Sequence, residues 1–113
     1  MKFAKTHRGF TLYKFTDRYG AECSVQKSSL ATEECIWLGV DDAKPQIMAS
    51  KTKRGGTGWV PFYVPEDVLL TTRMHLSQKQ VKQLIPILQD FVKTGEIRSV
   101  AQRRTHALRP KTA

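Results

Sequence analysis

The apolar and polar positions of this chain follow two periods, and the change comes at Ser77. Before it, short runs alternate in twos. Phe10 to Phe15 reads Phe-Thr-Leu-Tyr-Lys-Phe, aromatic and β-branched, and predicts a strand. Asp17-Arg18-Tyr19-Gly20 predicts a turn, because Asp bonds nearby backbone and Gly accepts positive φ. From Ala21 to Lys27, Cys23 and Val25 fall on one face and Glu22, Ser24 and Gln26 on the other. That is a half-buried strand returning on the first as a hairpin. Ser28 to Thr32 is a polar connection, and Ile36 to Val40 is a short apolar run that predicts a central strand. Asp41 to Pro45 is a turn, and Gln46 to Ala49 a short strand returning from it. Ser50 to Gly58 has three glycines, three bases and no apolar residue, and predicts a loop that is disordered without a partner. Trp59 to Val64 contains Pro61, with Pro65 just after, and predicts an irregular or edge segment. Val68 to Leu76 is β-rich. Leu70, Thr72, Met74 and Leu76 share one face there, and Leu69, Thr71, Arg73 and His75 the other.

After Ser77 the period becomes helical. Ser77-Gln78-Lys79-Gln80 is a capping box, in which a hydroxyl and an amide satisfy the orphan N–H groups of a helix start. Val81, Leu84, Ile85, Leu88, Phe91 and Val92 recur at three- and four-residue spacing as one apolar stripe. Gly95 is placed to end the helix in the left-handed conformation. Pro86 removes one hydrogen bond inside, so the helix has to be held by packing. The expected fold is α+β: an antiparallel sheet of about five strands with one C-terminal helix, 78–93, packed on a face. Residues 1–97 form a single domain and 98–113 a basic C-terminal tail. A sheet with one face uncovered must meet water, a ligand or a second subunit, which keeps a homodimer among the expectations.

Charge changes the picture from fold to partner. Residues 1–16 carry +4, 51–58 carry +3 and 98–113 carry +5, while 17–50 sum to −3 and 59–97 to zero, within a total of +9. A near-neutral body with basic ends and one basic loop favours contact with a polyanion. With 113 residues there is room for one domain with its own core. No apolar run approaches a membrane span, and Met1 to Arg8 lacks the apolar stretch of a secretory signal. Cys23 and Cys35 read as reduced thiols, and no His stands near them at metal-motif spacing, so neither metal nor cofactor is expected.

From Tyr19 onward the string carries a resemblance. Tyr19-Gly20, Cys23 to Thr32, Ile36 to Asp41, Pro45, Ile47 to Ala49, Gly58 to Pro61, Thr72 to Leu76 and Gln80 to Glu96 together resemble a family of small bacteriophage accessory proteins. The resemblance covers roughly residues 15–97 and assigns no catalytic or binding residue. It implies a cytoplasmic setting in an infected bacterium. It also implies a job such as binding host machinery, countering a host defence or handling nucleic acid.

Two candidate sites follow from the residues. Contact with nucleic acid or a host nucleoprotein through the basic loop and tail would set Lys51, Lys53, Arg54, Arg98, Arg103, Arg104 and Arg109 on phosphates, with Trp59 beside the loop to stack on bases. The tail and loop are equally what a solvated, solubilising surface looks like. The alternative is an anti-defence protein that inhibits a host protein or sequesters a host-defence nucleotide. Its polar pocket would be built from Gln26, Lys27, Ser28, Arg73 and His75. Lys53 to Gly58 is no phosphate loop of the nucleotide-hydrolase kind, since no Gly-Lys-Ser/Thr opens a helix. Glu33-Glu34 and Asp41-Asp42 are sequence neighbours that point apart on a strand, and the histidines carry no nucleophile signature. The expectation is a binding protein, not an enzyme.

Overall fold

Alternation becomes sheet in the first part of the chain. A computed structural model describes residues 1–103, which fall into two compact units, Met1–Leu76 and Ser77 onward. The strands are β1 (Lys2–Lys5), β2 (Thr11–Thr16), β3 (Glu22–Lys27), β4 (Cys35–Val40), β5 (Gln46–Met48), β6 (Trp59–Pro61) and β7 (Arg73–Ser77). Five of them form one sheet in the order β1-β2-β3-β4-β7, and β5 and β6 form a separate two-stranded hairpin. The class is α+β, completed by the helix α1 (Gln78–Thr94).

The β2–β3 hairpin is built as its sequence dictates. Asp17 Oδ1 accepts from the amides of Tyr19 and Ala21, both at 2.9 Å, and Gly20 takes φ +84°. The expected hairpin therefore forms with Thr16 opposite Glu22. The strand β1 is an addition. The basic N-terminus, expected only as charge, turns through Thr6, whose hydroxyl accepts from Phe10 N at 3.0 Å, and pairs with β2 from Lys2↔Lys14 to Lys5↔Thr11. Phe3 meets Tyr13 edge to face at 5.3 Å there. Lysines at both ends of an outer strand are a usual guard against unwanted pairing.

Register assigns the two faces of this sheet. Phe3, Tyr13, Val25 and Leu38 form one row, and Phe15, Cys23 and Val40 another, on an apolar face. Lys2, Lys14, Ser24 and Gly39, then Ala4, Leu12, Gln26 and Trp37, form rows on the opposite, polar face. Buried apolar side chains among the described residues are few: Leu12, Cys23, Cys35 and Ala49.

Two expected strands change. The run 68–76 is strand only from Arg73, because Val68 N closes a turn on Pro65 O at 3.1 Å. The returning strand at 46 pairs with β6, not with β4.

In the second unit, Ser77 and Gln80 form the complete capping box, and Gly95 ends α1 at φ +75° with its amide on Phe91 O. The helix continues through Pro86. Val81, Leu84 and Ile87 are half-buried, while Ile85, Leu88, Phe91 and Val92 are exposed, so the expected stripe of six does not share one environment. The chain then turns back. Arg98 pairs with the buried Asp90 through two hydrogen bonds, and Ser99 opens a second helical turn with its own capping box to Gln102.

Candidate functional site

The polar face of the sheet collects the residues named for the alternative site. Strand β7 lies beside β4 with Arg73 near Gly39 and His75 near Trp37, which makes the pair antiparallel. Alternation then sends Arg73 and His75 to the same side as Gln26 and Ser28. Arg73 Nη1 donates to Gln26 Oε1 at 3.0 Å, and His75 Nε2 lies 2.9 Å from Ser28 Oγ. Trp37 binds the set together: its ring stacks on His75 at 3.9 Å and 9°, and the Arg73 guanidinium carbon stands 5.5 Å from its centroid. Gly39 permits this approach. A Cβ there would meet Thr72 O at 2.8 Å and Arg73 Cα at 3.0 Å.

Four of the five expected residues thus meet, and Lys27 does not. It is one step out of phase with Gln26 and Ser28, so it points to the other face, where it pairs with Glu34. Trp37 is the residue that sequence reasoning missed. It reads as core within an apolar run, and only its register with Gln26 would have flagged it.

The Ser28–His75 contact is partly enclosed by its surroundings. Ser28 is buried, and its hydroxyl accepts from Leu30 N at 3.1 Å, a local turn that occupies a lone pair. Among the described residues no carboxylate orients the ring through its other nitrogen. Burial pushes both thiols up from their ordinary 9.0, helped by Asp17 and Asp41 at Cys23 and by Glu33 at Cys35. A thiol held protonated in this way is a poor nucleophile and a poor metal ligand. Among the described residues no group of three His, Cys, Asp or Glu is arranged to hold a metal.

The basic loop is a built feature. Ala49 N donates to Gly58 O at 2.8 Å, a 3₁₀ turn covers Ala49–Lys51, and Thr52 returns to Ala49 O through both its amide and its hydroxyl. Gly55 then closes on Thr52 O at 3.1 Å. The expectation of a disordered segment gives way to a hydrogen-bonded hairpin end anchored by the buried Ala49. Lys51, Lys53 and Arg54 are exposed on it, and Trp59, opposite Met48, is 64% exposed at its base.

The tail divides. Arg98 is largely buried, and its hydrogen bonds to Asp90 raise its already high pKa, so it is spent on structure. Arg103 donates to the Arg98 carbonyl at 2.7 Å. Arg104 and Arg109 lie outside the described residues. No described helix is long and apolar enough to cross a membrane. No family model, curated protein or solved structure matches this chain.

Proposed function

We propose that this is a small non-enzymatic binding protein of phage type that contacts nucleic acid through the β5–β6 hairpin. The observation that carries the reading is a fixed, outward loop with three cations beside an exposed indole. No described carboxylate pairs with Lys51, Lys53 or Arg54, so their charge is available to phosphates. Trp59 offers a π-face to an unstacked base, which every base can use. Glycines at 55, 56 and 58 keep side chains out of the way of a sugar–phosphate backbone. The contact is to the backbone, with weak sequence preference, and single strands are favoured over duplex because stacking on Trp59 needs a free base.

The test is fluorescence anisotropy with labelled single-stranded DNA, duplex DNA and RNA across a salt series. Binding that strengthens as salt falls and weakens when Lys51, Lys53 and Arg54 are neutralised supports the reading. Salt-independent binding, or none, overturns it.

The second reading is an anti-defence role, either inhibition of a host protein or capture of a nucleotide. It is favoured by the convergence of Gln26, Ser28, Arg73 and His75 on one sheet face. Ligand-induced thermal stabilisation that Arg73→Ala abolishes and tail deletion leaves intact would support it over the first.

A further inference from the structure

Opposite charges on the polar face of the sheet are held apart instead of paired. A cavity of about 310 Å³ opens there, lined by Lys14 of β2, Glu22 of β3, Asp41 and Asp42 just after β4, and Arg73 of β7. Two cations and three carboxylates share its wall. Yet the ion pairs among the described residues are Lys27–Glu34 and Asp90–Arg98, neither of which belongs to it.

Neutral neighbours fix the two innermost charges. Gln26 Oε1 accepts from Arg73 Nη1 at 3.0 Å, and the Trp37 ring lies against the same guanidinium. Ser24, 1% exposed, donates its hydroxyl to Asp41 Oδ1 at 2.5 Å, and the Asp41 amide is tied to Glu22 O at 2.9 Å. A guanidinium has five N–H donors and a carboxylate accepts on both oxygens, so each group keeps bonding capacity beyond its neutral partner. A positioned donor fork and a positioned acceptor in one cavity complement a ligand that carries both signs of charge.

The net charge selects among such ligands. The lining sums to −1, so a ligand of net charge +1 leaves the filled cavity neutral. A phosphate or nucleotide would meet three carboxylates. We infer that this cavity binds a basic α-amino acid, with its carboxylate on Arg73 beside Lys14 and its cationic groups on Glu22, Asp41 and Asp42. The inference is independent of the hairpin, which contributes no residue to the cavity, and it revises the ligand class of the sheet-face cluster away from nucleotides.

Isothermal titration calorimetry of the full chain tests it, with L-lysine, L-arginine, cadaverine, agmatine, L-glutamate and adenosine monophosphate as probes. Lysine and arginine should bind. Their decarboxylated analogues should bind roughly tenfold more weakly or worse, for loss of the charge-assisted contact to Arg73. Arg73→Gln should remove the preference for the carboxylate. Asp42→Asn, at an exposed position that leaves the fold intact, should weaken lysine and cadaverine alike. Neutralising Lys51, Lys53 and Arg54 should change none of this. Equal binding of lysine and cadaverine, tighter binding of glutamate or the nucleotide, or no heat with any probe at millimolar concentration would overturn the inference.

Discussion

Replacing Gly39 by Ala should loosen the first unit and disturb Arg73 together. Gly39 sits at φ +148°, and an added Cβ would stand 2.8 Å from Thr72 O and 3.0 Å from Arg73 Cα. Both are backbone atoms, so neither can rotate away, and β7 has to shift. The backbone conformation alone costs an L-residue about 1–3 kcal/mol. Overpacking a close contact adds a similar amount, and a shift of β7 relieves part of both, leaving a net cost of about 2–4 kcal/mol. Set against a total domain stability of about 5–15 kcal/mol, that is a large loss. Gly20 supplies the control. It also has positive φ, +84°, but nothing lies within 4 Å of its Cβ position. Gly20→Ala therefore carries only the conformational cost, about 1–2 kcal/mol. Urea unfolding followed by tryptophan fluorescence and by far-UV circular dichroism separates the two. The Gly39 variant should lose roughly 1–3 M in midpoint at unchanged m, and clearly more than the Gly20 variant. Equal shifts for the two variants would refute the close approach of β4 and β7, and with it the geometry that presents Arg73 to the cavity.

Three further outcomes follow from the same structure. Ser77→Ala removes the hydroxyl that accepts from Gln80 N and should cost about 1 kcal/mol, read as a lower helix signal and an earlier thermal transition; an unchanged melt would deny the cap. Trp59→Ala should weaken single-stranded DNA binding by about 1–3 kcal/mol, or roughly five- to 150-fold, at unchanged melting temperature, because the indole is exposed. Cys23 and Cys35 titrate above 9.0 when folded, so the native state holds more protons than the unfolded one above that pH. Their contribution to stability is intact below pH 9.0 and is lost as pH rises through the folded values. Thiol labelling should be slow in the native state and fast in denaturant, and equal rates would contradict the burial of both thiols.

What could be read from the sequence was local chemistry with a fixed partner nearby. Asp17 and Gly20 specify the β2–β3 turn wherever the rest of the chain goes, and Ser77, Gln80 and Gly95 specify both ends of α1. Alternation also put Arg73 with His75 on one face, and it set Gln26 at the end of a strand with Ser28 just beyond it. It could not say that the two strands flank β4, because the crossover from β4 to β7 passes through a hairpin of its own. Strand β1 escaped notice because only Phe3 and Ala4 lie between its lysines, too few to show a period. The run 68–72 has strand composition, but the preceding Pro65 turn takes the chain out of the ladder until Arg73. Arg98 was counted as a free tail charge. The signal against that was present: a left-handed Gly95 followed by a second Ser-x-x-Gln cap folds the chain back, and Asp90 is the acid within reach.

The most direct test of the hairpin reading is the salt dependence of single-stranded DNA binding for the wild type and for the Lys51→Ala, Lys53→Ala, Arg54→Ala triple variant. Each phosphate contact on a single strand contributes about 0.7 to the slope of log K against log salt, so losing three should make it shallower by about 2. That difference, with both proteins melting at the same temperature, is the result predicted here. Identical slopes, or no binding by the wild type at low salt, would contradict it.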